Sequence, residues 1–206
     1  MDGDTFLTEL RDDFETELSR LGSSKALYAV TGGEMDGPSV RAAADDEAAT
    51  AATIFDQWAD AESDADAAEL FADVATTAAD HRTDIGSDEG LLDTDRLMYE
   101  TLAGFDTTPE RVGGLLARQV IASELVGQMV GFFVGDADPK TADVFRTISD
   151  DLDEHRTRTL HVLESVCEDD DDWDDARAAA AATIESAYDY YVETLESMGV
   201  KPKNVC

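Results

Sequence analysis

The feature that most constrains the fold of this chain is the helical spacing of its apolar residues. In nearly every segment, apolar side chains return after three or four positions, as they do on the buried face of an amphipathic helix. No segment shows the alternation of apolar and polar residues, bounded by turn pairs, that is typical of β-strands. The sequence therefore predicts an all-α fold.

Capping residues, prolines and glycines predict where the helices begin and end. Asp4 or Thr5 is suited to cap a first helix that stops at Gly22, and a loop follows over residues 31–38. A second helix is expected from Ser39 and a third from Asp64 to Gly86. Further helices are expected over 91–105, 111–134 and 141–167. The acidic run at 168–175 is expected to be a solvated link and the N-terminus of a last helix that runs to Met198.

The charge balance narrows the classes of partner. The chain has 48 acidic and 15 basic residues, which gives a formal net charge of -33. At molar ionic strength the Debye length falls to about 3 Å, so a dense carboxylate surface keeps a protein hydrated at little electrostatic cost. The acidic residues are spread along the whole chain, which favours adaptation to a multimolar-salt interior over an acidic functional tail. The sequence has no cluster of Lys and Arg, so direct nucleic-acid binding is not expected.

Three observations predict a cytoplasmic protein without a membrane span. The N-terminus is acidic from Asp2 onward and lacks the basic and apolar regions of a secretory signal. No window of 18 apolar residues is free of charge. Cys167 and Cys206 stand without CxxC spacing, as expected in a reducing compartment.

Four of the predicted helices each place one metal-capable side chain among apolar stripe positions. These residues are Glu47, His81, Glu124 and His155, in the order Glu, His, Glu, His. Ferritin-like di-iron proteins bind metal with one Glu from each of two helices and a Glu-x-x-His unit from each of the other two. The order and the long crossover between the two halves fit that arrangement.

The flanking residues carry a resemblance to rubrerythrin-like members of the ferritin-like superfamily. DDEAATAATIFDQWADAESDADAAELFADVATTAADH (45–81) resembles the first half of such proteins, and IASELVGQMVGFFVGDADPKTADVFRTISDDLDEH (121–155) resembles the second. The chain length and the absence of a linker predict one domain over 1–206. Within it the resemblance implies a ferritin-like four-helix bundle at 39–166, and it does not cover the N-terminal helical extension at 1–38 or the C-terminal helix within 174–198. LGSSKALYAVTGGEM is similar to the opening of haloarchaeal proteins with a transcription-antitermination label, which implies an association with transcription.

The sequence departs from the family pattern at both bridging carboxylates. Ala78 and Leu152 stand where the family has Glu, and Thr77 and Asp151 lie about 100° aside on an ideal helix. Two glutamates can neutralise one divalent metal but not two. Three interpretations stay open: a single iron, manganese or zinc ion held by the two Glu and two His, a metal-free hydrogen-bonded network, or unrelated core residues of another family.

These observations favour a non-catalytic regulatory or interaction protein that has lost its di-iron centre. Its expected partner is a protein or a second copy of the chain, with no cofactor and no catalytic residues. The alternative is a rubrerythrin-like oxidoreductase or iron-binding protein that uses one iron or manganese ion held by Glu47, His81, Glu124 and His155.

Overall fold

The computed structural model describes residues 1–87 and 97–202, and within them it contains nine α-helices and no strand. The prediction of an all-α fold is confirmed. In chain order the helices are α1 (Gly3–Asp13), α2 (Glu15–Leu21), α3 (Ser24–Val30), α4 (Gly37–Ala61), α5 (Ala65–Ile85), α6 (Leu97–Ala103), α7 (Thr108–Gly135), α8 (Pro139–Val166) and α9 (Asp170–Ser197).

The expected first helix is two helices. The chain leaves helical geometry at Phe14, and α2 begins directly after it. The N-cap of α1 is Asp2, whose side chain accepts a hydrogen bond from the backbone N–H of Thr5, so the expected cap at Asp4 or Thr5 is wrong. The helix starts earlier because an aspartate before the first turn satisfies a backbone donor that would otherwise have no partner.

Two helical hairpins form the middle of the molecule. Helices α4 and α5 pack along each other after a short turn, and α7 and α8 do the same. The hairpins meet where α5 packs against α8, and α9 lies along the other side of α7. Gly113 permits that close approach, because a Cβ there would overlap the backbone carbonyl of Ala176.

Aspartate and threonine caps set the starts of the long helices. Asp36 caps α4, which begins at Gly37, two residues before the predicted start at Ser39. Asp64 caps α5 as expected. Thr107 and Glu110 form a capping box at α7. Asp169 caps α9, so most of the acidic stretch at 168–175, which was expected to be a link and a helix N-terminus, forms the first turns of this helix, where negative charge stabilises the positive end of the helix dipole.

The apolar stripes face inward as predicted along most of the chain. Val40, Ala51 and Trp58 of α4 are buried, as are Leu70 and Phe71 of α5. Residues 91–96 of the helix predicted at 91–105, together with Cys206, lie outside the described residues. Within the described ranges no helix is both long and apolar enough to cross a membrane.

Candidate site at the centre of the helices

All four helices of the two hairpins line one internal cavity of about 50 Å³. Three of the four residues singled out in the sequence, Glu47 of α4, His81 of α5 and His155 of α8, are part of its wall. Ala78 and Leu152 line the same cavity with apolar groups. We call it the inner cavity.

Glu124 does not belong to the inner cavity. Its side chain is exposed and lies beside Gly22, on the outer side of α7. The expectation that Glu124 faces the centre is therefore wrong. The periodicity of α7 is ambiguous because this helix is buried on nearly every side from Val112 to Ala122, packed between α8 and α9.

Arg118 contributes the charged side chain of α7 to the inner cavity. Its residue is only 6% exposed, and its Nη2 donates to Glu47 Oε1 at 3.2 Å. Its Nε donates to the hydroxyl of Tyr99 at 3.2 Å, and that hydroxyl donates to Glu47 Oε1 at 2.6 Å. The guanidinium carbon lies 5.8 Å from the ring centre of Phe55. We call Glu47, Tyr99 and Arg118 the central network.

The central network keeps the arginine charged. Burial alone would lower the pKa of Arg118, but the neighbouring oxygens of Tyr99 and Glu47 outweigh it and hold that pKa above its ordinary value. A buried carboxylate needs a compensating charge and hydrogen bonds. Arg118 supplies to Glu47 the positive charge that a metal ion supplies in a di-metal centre.

A second polar pair, formed by His81 of the inner cavity and Asp151, joins α5 to α8. Nε2 of His81 lies 2.9 Å from Oδ2 of Asp151, and the His81 side chain is 12% exposed. The angular argument concerned a bridging metal ligand, and the structure places Asp151 instead as a partner of His81. Asp151 lies about 100° from Leu152 but only about 40° from His155, and its partner belongs to a neighbouring helix.

His155 lines the same cavity one turn further along α8. Desolvation by burial lowers the pKa of His155, and the nearby Asp151, Asp73 and Glu154 carboxylates oppose that effect only in part. The folded state therefore favours the neutral imidazole.

The Glu47 carboxylate and the His81 imidazole each have a partner on another helix. Among residues 1–87 and 97–202, no group of three or more His, Cys, Asp or Glu side chains is placed to hold a metal ion. Glu47 is bonded to Arg118 and Tyr99, whereas His81 is bonded to Asp151.

Sequence reasoning missed Arg118, Tyr99 and Asp151 as members of the site. Arg118 had a usable signal: it is the single charged residue between Val112 and Ser123, and an isolated charge in an apolar helix indicates a buried partner. Tyr99 lies on the short helix α6 and had no such signal.

A second cavity, of about 70 Å³, lies on the other side of Glu47. It shares Glu47, Ala122 and Leu125 with the inner cavity and is otherwise lined by α2, α3, α6, α7 and α9. We call it the outer cavity. The central network thus stands between two small cavities.

No protein-family model, no curated protein and no solved structure matches the chain. The geometry of the described residues is therefore the basis for the function proposed below.

Proposed function

We propose that this chain is a non-catalytic regulatory or interaction protein, built on a ferritin-like scaffold in which the central network takes the place of the metal centre. The observation that carries the proposal is the bond between the buried guanidinium group of Arg118 and the carboxylate of Glu47. Glu47 is the residue that the family pattern would assign to metal.

Electrostatics supports this proposal. A divalent ion at Glu47 would have to share the carboxylate with the guanidinium group of Arg118, whose like charge repels it in a site of low dielectric. Displacing Arg118 would leave a buried cation without its carboxylate partner. The apolar side chains of Ala78 and Leu152 offer no ligand in compensation.

A single-metal oxidoreductase is the second candidate. Its support is that Glu47, His81 and His155 line the same cavity. Binding of one ion would require Glu47 to exchange Arg118, and His81 to exchange Asp151, for the metal.

Metal analysis distinguishes the two functions. The protein is purified at molar salt without chelator, as wild type, as Glu47→Ala and as the matched control Glu124→Ala, in which the carboxylate that is removed is exposed. The proposal expects far less than one equivalent of iron, manganese or zinc in all three proteins. Near-stoichiometric metal in the wild type and in Glu124→Ala, lost in Glu47→Ala, contradicts it and establishes the single-metal site.

The partner that we propose is a second copy, bound at the end of α7. Val134 is 55% exposed, and residues 125–135 contain no charged side chain. Two copies with a net charge of -33 repel each other least where such a surface faces its equivalent.

Size-exclusion chromatography at molar salt should show a dimer that Val134→Asp dissociates. Thr157→Asp, which adds the same charge at an exposed site of α8, should leave the dimer intact; a monomeric wild type contradicts the proposal.

A further inference from the structure

The outer cavity has a buried apolar wall and a half-buried mouth. Its wall includes Leu21, Ala29 and Ala187, all less than 9% exposed. Half-buried side chains, among them Met98 and Tyr190, also line it. A solute can therefore reach the cavity by small movements of side chains at its edge.

The charges around the outer cavity favour a neutral occupant. Among the described residues that line it, Glu47 is the one acidic or basic side chain, and Arg118 already compensates that carboxylate. An ion placed here would lose its hydration without a new partner of opposite charge, which is unfavourable in an apolar site.

The volume limits the occupant to a few heavy atoms. A water molecule accounts for about 30 Å³ of liquid, so a cavity of about 70 Å³ accommodates one large atom or a short alkyl group. Water itself is a poor occupant of the apolar part, because a buried water needs two to four polar partners. Among the described lining residues, the polar side-chain groups are the Glu47 carboxylate and the tyrosine hydroxyls.

From these observations we infer that the outer cavity is a binding site for a small, neutral, largely apolar solute. Its apolar part packs between α3 and α9, and any hydroxyl group that it carries faces Glu47 and Tyr99. This inference goes beyond the proposed function and is tested separately, since apart from Glu47 and Tyr99 no described residue of the outer cavity belongs to the central network.

Xenon is a suitable first probe, because it is neutral, apolar and of the right size. The second probe, 1-propanol, adds one hydroxyl group to a short alkyl chain. Amide chemical shifts are followed by ¹H–¹⁵N NMR at molar KCl as xenon pressure or 1-propanol concentration rises. The expected result is a saturable set of shifts centred on α3, α6 and α9, with the two probes competing. Shifts that never saturate, or that centre on Ala78 and Leu152 of the inner cavity, overturn the inference.

A pair of matched variants locates the site. Ala187→Val fills the outer cavity, whereas Ala78→Val adds the same two methyl groups to the inner cavity. Xenon binding should weaken at least about tenfold in Ala187→Val and remain in Ala78→Val. The reverse order contradicts the assignment. Ala29→Val fills the outer cavity from α3 and replaces Ala187→Val if that variant does not fold, and diffraction from wild-type crystals under xenon locates the atom directly.

Discussion

The guanidinium group of Arg118 has two partners between the helices, the Glu47 carboxylate and the Tyr99 hydroxyl. Each member of the central network is contributed by a different helix: Glu47 by α4, Tyr99 by α6 and Arg118 by α7. Removing one partner of a buried ion pair leaves the other charge without compensation, while replacing both by apolar groups is often neutral. This asymmetry makes the pair testable by a double-mutant cycle.

We expect Arg118→Met to lower the free energy of unfolding by about 3–5 kcal/mol, because Glu47 would stay buried without its cation. The double variant Glu47→Met/Arg118→Met should regain most of that loss. Urea unfolding at molar KCl measures both. Arg158→Met is the control, since Arg158 pairs with the exposed Glu69 and Asp73 and should contribute at most about 1 kcal/mol. A double variant that regains none of the loss seen in Arg118→Met would contradict this expectation.

His155 should make stability depend on pH on the acid side. Burial lowers its folded-state pKa below 6.5, so the unfolded chain takes up the proton first as the pH falls. Stability is therefore full above about pH 6.5 and declines below it, until the folded-state pKa is reached. The thermal midpoint of His155→Gln should fall less than that of the wild type when the pH is lowered from about 7.5 to about 5.5. His161→Gln, at an exposed position of α8, should follow the wild-type profile; identical slopes in all three proteins contradict the assignment.

Of the four side chains that sequence patterns placed at the centre of the helices, three line the inner cavity. Glu47, His81 and His155 each interrupt a stripe that is clearly amphipathic, so the stripe defines which way they face. Glu124 was misplaced because α7 has apolar residues on almost every side and periodicity cannot choose between its faces. The cross-helix partners Arg118 and Asp151 depend on the distance between helices, which no single-helix pattern contains.

Among the helices, α7 lies between two other long helices. It packs against α8 on one side and α9 on the other, and its glycines differ sharply in their surroundings. Gly113 faces the backbone of Ala176, whereas a Cβ at Gly127 would meet no atom within 4 Å. The close contact between α7 and α9 therefore depends on one missing side chain.

Substitution of these two glycines by alanine should have opposite effects. Gly113→Ala forces α7 and α9 apart and should destabilise the protein by about 1–3 kcal/mol. Gly127→Ala should stabilise it by up to about 1 kcal/mol, because alanine is the better helix former and the space around it is open. Thermal unfolding at molar KCl measures the two side by side, and destabilisation of similar size at both positions would contradict this description of the contact.

The helix starts show how far sequence patterns reach at the element scale. The existence of the long helices was predicted, whereas several starts came two to six residues earlier than expected. Aspartates at positions 2, 36, 138 and 169 cap helices in this structure. In a chain with 48 acidic residues, a capping aspartate is hard to distinguish from one that only adds surface charge.

For the molecule as a whole, the dominant long-range interaction is the repulsion that follows from the formal net charge of -33. Repulsion among carboxylates destabilises a compact state at low ionic strength and is screened when the Debye length is short. The largely buried pairs Glu47–Arg118 and Glu62–Arg111 join α4 and its C-cap residue to α7, and they are less exposed to screening than surface pairs. High salt should therefore relieve the repulsion while leaving these bridges in place.

We expect the thermal midpoint to fall continuously as KCl is lowered from molar to about 0.1 M, where the Debye length is about 10 Å. Circular dichroism at 222 nm, the helical band, follows the loss of helix. Sucrose, an uncharged stabiliser, is the control and should not replace the salt at matched osmolality. A midpoint independent of KCl would show that charge repulsion is not what salt relieves in this chain.

The central claim is that Arg118, and not a metal ion, compensates the charge of Glu47. The most direct test is the thermal midpoint at molar KCl with excess Mn²⁺ and, separately, with EDTA, because an ion that binds only the folded state raises the midpoint. The account predicts the same midpoint in both solutions. A higher midpoint with Mn²⁺ that disappears in Glu47→Ala, but not in Glu124→Ala, would contradict it.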